Sequence, residues 1–383
     1  MCRRYIYIDF QRAFDSVVHS KLIFKLQSFG ICGKLLSWIT AFLSDRFQCV
    51  AVENCLSSDK PVLSGIPQGS VIGPILFLLF INDIDSVCFG TTNFKLFADD
   101  VKLYSNITVS SSNSDLQQSL HNLLLWANTW QLTINNNKCS VFGLHGRFRS
   151  SNNSYFLNNC PLTFSNPIRD LGILIDNNLS YKSHINSIVS KSLQRVGLLF
   201  RGFLCRDLPF LRKAFITYVR PLIEYNSILW SPNQKKYIDL IEKVQRSFTK
   251  RIPCLHKLPY LDRLKSINLQ SLELRRLHFD LFYYYKILHN LTDINPDIFF
   301  TYHNPLSSLR QNLPFVTTPP STTSKYLSTL PFRSLSCWNS LPRNLQNQKS
   351  FISFKLTLES MDLSSFLYGS VYSDFINFNL LFH

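Results

Sequence analysis

The sequence predicts an α+β fold: an antiparallel sheet carrying an Asp-Asp hairpin, then a helical region and a small C-terminal region. Three observations carry this. Residues 5–10 (YIYIDF) are strand-like and close on a carboxylate, and residues 94–104 (FKLFADDVKLY) alternate on either side of an Asp doublet. Ile185, Ile188, Val189, Leu193, Val196, Leu199 and Phe200 then recur at helical i, i+3, i+4 spacing.

The remaining elements follow in order. Residues 20–47 read as helices, with Leu22, Phe24, Leu26 and Phe29 on one and Leu35, Leu36, Trp38, Ile39, Phe42 and Leu43 on the next, separated by Gly30 and Gly33. Residues 48–63 alternate weakly and suggest a hairpin. Ser64–Pro74 is a polar, glycine-bearing turn that enters an apolar helix over Ile75–Ile81. Leu116–Trp130 is an amphipathic helix, followed by a short strand at Leu132–Ile134. Residues 155–179 read as strands closed by Leu171-Gly172-Ile173. Helices then run to about 290, residues 301–330 are rich in Ser, Thr and Pro and read as a linker, and aromatic, helical character returns over Phe332–Leu367.

Composition excludes several classes. With 383 residues, 45% of them apolar and 17% charged, the chain has material for two or three cored domains and is not a disordered polymer. The longest apolar run, Pro74–Ile81, is too short for a membrane span, and Met1-Cys2-Arg3-Arg4 leads straight into a strand without a secretory leader. An intracellular protein without a membrane partner is expected. The ten cysteines include no CxxC pair and no zinc spacing, so they read as reduced thiols, and no disulfide-linked partner is expected. The net charge of +16 is concentrated: residues 180–290 carry 20 Lys and Arg against 7 Asp and Glu. Such a basic stretch on helices fits a phosphate-backbone partner, and it equally fits a solvated helix face.

The chemistry lies in the carboxylates. The doublet Asp99-Asp100 suits a tight hairpin turn, where most such pairs are simply solvated. Asp9 differs, because it closes a strand among Ile6, Tyr7, Ile8 and Phe10, and a carboxylate there is costly unless paired, hydrogen-bonded or bound to a cation. With the two strands side by side, Asp9 and Asp99 are expected to face each other. Close carboxylates repel unless a divalent cation neutralises them, and Mg²⁺ binds through one or two carboxylates plus substrate phosphates. Phosphoryl or nucleotidyl transfer on a sheet is the expected chemistry.

Three ordered stretches, YIDFQRAFDSVVHSKLIFKLQSFGI, VLSGIPQGSVIGPILFLLFINDI and KLFADDVKLY, resemble motifs A, B and C of reverse transcriptases of non-LTR, LINE-type and jockey-like retrotransposons. LLLWANTWQLTINNNKCSVF resembles motif D, and IRDLGILIDNNLSYKSHI resembles motif E with its primer grip. KAFITYVRPLIEYNSILWSP and IEKVQRSFTKRIP resemble the thumb, and LELRRLHFDLFYYYKILHNL and PFRSLSCWNSLPRNL the region beyond it. The resemblance implies an RNA-directed DNA polymerase with a palm at 1–180, a basic helical thumb at 181–300, a linker at 301–330 and a C-terminal element at 331–383.

It further implies that Asp9, Asp99 and Asp100 hold two Mg²⁺ ions, with Mn²⁺ as the substitute. Phe10 and Phe14 would line the nucleotide, Phe14 as the gate against a ribose 2′-OH. Pro67, Gln68 and Gly69 would pack on the template base and the incoming dNTP, and Lys138 would donate a proton to pyrophosphate. Leu171, Gly172 and Ile173 would form the primer grip. Lys191, Arg195, Arg212, Lys213, Lys243, Arg246, Lys250 and Arg251 would hold the RNA template and DNA primer. On the residues alone Phe14 reads first as core, Gly69 as a turn glycine, Asp15 as a local hydrogen-bonding group near a helix start and Lys138 as a solvated loop residue, and His19, His121 and His184 carry no partner spacing.

The chain opens about eight residues before Asp9, so the fingers that precede this point in the family cannot fit into MCRRYIYI. The polypeptide alone is therefore expected to be weak or inactive as a polymerase. The competing expectation is a non-catalytic nucleic-acid-binding remnant, insensitive to Mg²⁺ and to Asp9→Asn.

Overall fold

The computed structural model describes residues 3–106, 112–144, 154–303, 315–317 and 329–369, and the chain divides into two compact units. The first comprises residues 1–170 and 176–178, the second 171–175 and 179–383. Most of the Ser/Thr/Pro-rich stretch expected as a linker, and residues 370–383 of the expected C-terminal element, lie outside the described residues.

The first unit is mixed helix and strand. In chain order it contains β1 (Arg3–Ile8), α1 (His19–Ser28), α2 (Gly33–Leu43), β2 (Phe47–Gln48), β3 (Ala51–Val52), β4 (Cys55–Leu56), β5 (Lys60–Pro61), α3 (Gly73–Ile81), β6 (Asn93–Phe97), β7 (Asp100–Asn106), α4 (Ser112–Trp130), β8 (Ser140–Leu144), β9 (Phe156–Leu157), β10 (Cys160–Pro161), β11 (Thr163–Phe164) and β12 (Ile168–Asp170). The main sheet has the order β11-β8-β1-β7-β6, with β1 antiparallel to both neighbours. Alternation along β1 sends Ile6 and Ile8 to the core face, where they meet Leu22 and Leu26 of α1, Phe77 and Phe80 of α3, and Leu120 and Leu123 of α4. The opposite face of β1 and β7, carrying Tyr5, Tyr7, Lys102 and Tyr104, is half-buried.

α3 begins two residues before its expected start at Ile75, because Pro74 fits the first turn of a helix. The stretch 48–63 forms two nested pairs, β2 with β5 and β3 with β4, and all of their residues are exposed. Leu132–Ile134 does not form a strand; Ile134 makes only an isolated bridge to Phe10.

The second unit is chiefly helical: β13 (Ile173–Ile175), α5 (Lys182–Gly202), α6 (Leu208–Tyr218), α7 (Arg220–Glu224), α8 (Ser227–Trp230), α9 (Lys235–Lys250), α10 (Tyr260–Ser266) and α11 (Leu272–Leu288), with α12 to α15 at Leu330–Arg333, Leu335–Ser340, Arg343–Gln346 and Phe351–Glu359. The face of α5 expected to be apolar is buried at Ile185, Ile188, Val189, Val196 and Leu199, against Phe215 and Phe248 among others. A second core joins Tyr284 and Tyr285 of α11 to Trp338, Phe354 and Leu358. The described part of the C-terminal element thus shares one core with α11. Among the described residues no helix is long and apolar enough to cross a membrane, and no cysteine is in a disulfide.

Candidate active site

The pairing of β1 with β7 ends at Ile8 opposite Val101, so the next step along both chains sets Asp9 opposite Asp100. Asp99 occupies the turn, because Phe97 pairs with Asp100 and leaves Ala98 and Asp99 to close the hairpin. Asp100, rather than Asp99, is therefore the cross-strand neighbour of Asp9. Parity places both on the face of Tyr7 and Lys102, away from the core. The same parity corrects the expectation for Phe10. Its side chain is 4% exposed on the core face, 6.3 Å from the Trp126 ring, and cannot line a nucleotide.

The electrostatics of this face are specific. Asp9 Oδ1 is buried and receives no hydrogen bond, and its ion-pair partner is the Lys138 ammonium at 3.5 Å. The backbone holds Asp9 from the other side, its carbonyl accepting from Asn135 N at 2.8 Å. Partial burial raises the Asp100 carboxyl above the usual carboxylate range; Asp99, Asp170 and Asp9 push the same way, and Lys102 opposes them. Asp170, which sequence reasoning did not single out, accepts from the Tyr7 hydroxyl at 3.1 Å and pairs with Lys102. Lys102 is thus shared between Asp170 and Asp100, and Lys138 is the cation beside Asp9. An orphaned carboxylate oxygen beside a carboxyl that resists ionisation fits a divalent cation, which requires only one or two carboxylates besides substrate oxygens. Among the described residues no group of three or more His, Cys, Asp or Glu is arranged around a metal position.

A second feature adjoins this one in sequence. The turn after β5 is bound to residues 14–19: Gly65 N donates to Val17 O, Ile66 N to Phe14 O, and Ser64 Oγ to Asp15 O. Gln68 Nε2 donates to Asp15 Oδ1 at 2.8 Å, and His19 Nε2 lies 2.8 Å from Gly65 O. Gly65 has φ +91° and an added Cβ would stand 2.9 Å from Asp15 O, so the close approach requires glycine. Gly69, at φ +80°, has open space where a Cβ would be. Asp15 and His19 are thus anchors of this turn, which their local spacing did not reveal. Phe14 is half-buried, its ring stacked 4.1 Å from Phe77.

The other expected site residues belong to the second unit. Ile173 is buried, Leu171 O accepts from the Tyr225 hydroxyl at 3.1 Å, and Gly172 lies against the Tyr225 ring. Lys191 and Arg195 on α5, Lys213 on α6, and Lys243, Lys250 and Arg251 on or after α9 are exposed. Arg212 and Arg246 are half-buried, Arg212 donating to Asn268 O and Arg246 lying over the Tyr260 ring.

Residues 1–173 match the family described as reverse transcriptase (RNA-dependent DNA polymerase). Over 189 residues the chain is 30% identical to the RNA-directed DNA polymerase from mobile element jockey of Drosophila funebris, covering 48% of this chain and 20% of that protein. It is 24% identical over 256 residues to the probable RNA-directed DNA polymerase from transposon X-element of Drosophila melanogaster, covering 64% and 28%. The chain spans between a fifth and a third of these relatives. Among solved structures it is similar to telomerase from Candida albicans in complex with a TWJ fragment of telomeric RNA, at 12% identity and TM-score 0.35 over 70% of this chain and 51% of that one, a likeness too loose to argue from.

Proposed function

We propose that this chain belongs to the reverse transcriptase family, in its jockey-like, non-LTR branch, and is the core of an RNA-directed DNA polymerase. The reaction is addition of a dNMP to a primer 3′-OH under an RNA template, with release of pyrophosphate. The observation that carries this reading is the buried, donor-free Oδ1 of Asp9 facing the strand position of Asp100. Asp9 and Asp100, with Asp99 in the adjoining turn, would hold Mg²⁺, which when bound neutralises charge on the phosphate oxygens.

The chain's own residues supply position and protons. Lys138, 3.5 Å from Asp9 Oδ1, sets a positive charge beside the carboxylates and would give a proton to the departing pyrophosphate. Phe14, braced by Phe77, presents a fixed ring edge to the sugar. The Pro67-Gln68-Gly69 turn, tied to Asp15, sets a rigid backbone beside the base pair. Leu171, Gly172 and Ile173 steady the primer, and the exposed cations from Lys191 to Arg251 hold the hybrid by its phosphates, largely by shape.

The test has two readouts on the full chain. Titration with Mn²⁺ is expected to show binding that Asp9→Asn and Asp100→Asn each weaken at least tenfold. Single-turnover primer extension on an RNA template, however slow, is expected to require both residues. Mn²⁺ binding and extension that ignore both substitutions would overturn the proposal and favour a metal-independent nucleic-acid binder.

A further inference from the structure

The helical unit contains a cavity of about 520 Å³ bounded by α7, α8, α11 and the start of α15. That volume lies within the roughly 300–1,000 Å³ typical of small-ligand sites. Its walls are aromatic: Tyr225, Phe279, Phe282, Tyr283 and Phe351 all contribute. Tyr225 is 56% exposed, and Tyr283 makes no ring contact among the described residues, so faces remain available to a planar ligand.

Cations ring these faces. Arg220 and Lys286 line the cavity, with the Lys286 ammonium 4.8 Å from the centre of the Phe351 ring, and the Arg275 guanidinium lies 5.4 Å from Phe279. One carboxylate, Glu224, answers them; it is paired to Arg275 and lies 3.6 Å from Arg220, so the three cations leave a surplus. In the same wall Ser227, 2% exposed, carries a hydroxyl without a hydrogen-bond partner. A buried hydroxyl costs free energy until something bonds to it, and it can either donate or accept.

We propose that this cavity binds an unpaired nucleobase of a single-stranded nucleic acid, the base stacked on the α11 aromatics, its edge bonded to Ser227 Oγ, and its phosphates beside Arg220 and Lys286. Aromatic platforms within a basic surround are how proteins hold single strands without strict sequence preference. The site is distinct from the carboxylates of the first unit, and it extends the polymerase reading by assigning the helical unit a grip on unpaired strand as well as on duplex.

Fluorescence anisotropy of the full chain with labelled oligouridylate and oligothymidylate tests it, against a blunt RNA–DNA hybrid as the duplex control. Phe279→Ala is expected to weaken single-strand binding about tenfold. Ser227→Ala, which removes one oxygen and leaves packing intact, is expected to weaken it about threefold to fivefold. Neither should change hybrid binding, and thermal melting checks that Phe279→Ala remains folded. A difference between the two oligonucleotides identifies whether RNA or DNA is preferred, and either supports the site. Unchanged single-strand affinity in folded Phe279→Ala and in Ser227→Ala overturns it, as does a parallel loss on the hybrid. Asp9→Asn should leave these affinities intact without divalent metal, so the cavity and the polymerase reading can fail separately.

Discussion

In the first unit the buried oxygen of Asp9 has no donor, whereas the buried carboxylates of the helical unit are saturated with them. Glu242, fully buried, accepts from the Tyr260 hydroxyl and from Leu272 N. Glu273 accepts from the backbone N–H groups of Tyr368 and Gly369. Asp280 receives the two-pronged Arg333 guanidinium at 2.6 Å and the Ser334 hydroxyl. The same residue type therefore does two different things. A carboxylate ringed by donors has its oxygens satisfied within the fold, even where burial still raises it as at Glu242 and Glu273, while one lacking them waits for a ligand.

The comparison is sharpened most by neutralising one member of each class. Asp9→Asn or Asp100→Asn is expected to lower single-turnover incorporation on the order of a thousandfold or more while leaving the melting temperature unchanged or raised. The rise has a definite sign. The Asp100 carboxyl lies above its ordinary range in the folded chain, so it opposes folding once ionised and the penalty fades on acidification. Asp100→Asn should therefore stabilise at neutral pH and lose that advantage in acid. Asp280→Ala should do the reverse, costing roughly 3–5 kcal/mol of stability by stranding the buried Arg333, read by denaturant unfolding. A mild Asp280→Ala together with a destabilising Asp9→Asn would invert the distinction.

The next effect separates the units by pH. His278 on α11 is 3% exposed, and burial, helped by Arg275, lowers its pKa from 6.5 to about 4. Above pH 6.5 the ring is neutral whether the chain is folded or not. Between 6.5 and about 4 the unfolded chain takes up a proton that the folded one refuses, so stability is lost across that window, by up to about 3 kcal/mol. Glu242 and Glu273, whose carboxyls burial raises, work in the opposite direction. The informative quantity is thus the stability difference between the native chain and His278→Leu, which should be constant above pH 7 and shift against the native chain towards pH 4. A difference independent of pH would mean that the ring takes up its proton as readily in the fold as in the unfolded chain.

This contrast explains which features could be read from the residues. The period-two pattern of 5–10 and 94–104 and the helical period of 185–200 each bury one face, so sheet and helices were legible. Register was not: whether Asp99 or Asp100 faces Asp9 depends on a hairpin that closes through Ala98 and Asp99, and one step reverses the answer. The Phe10 error has the same origin, since adjacent strand residues point to opposite faces. The basic stretch 180–290 hid its acids for a different reason. Glu242, Glu273 and Asp280 look like ordinary helix-surface residues until α9 and α11 are packed, and Arg276, 2% exposed in the field of those acids, looks like one more solvent-facing cation. Long-range pairing leaves no mark on local spacing.

The smallest expected effect tests whether Lys138 belongs to the chemistry or only to the charge balance. Its side chain is 65% exposed, and an exposed ion pair contributes at most about 1 kcal/mol, so Lys138→Gln should leave the melting temperature within a degree or two. Water competes with so exposed an ammonium to protonate the leaving group, and the loss of incorporation is expected to be about tenfold, below the roughly hundredfold of a well-placed, shielded donor. Lys138→Arg decides between the roles. Arginine restores a positive charge beside Asp9 but holds its proton too tightly to give it up. Recovery of the native rate in Lys138→Arg would assign the residue to charge alone, whereas a rate matching Lys138→Gln would make the proton its contribution.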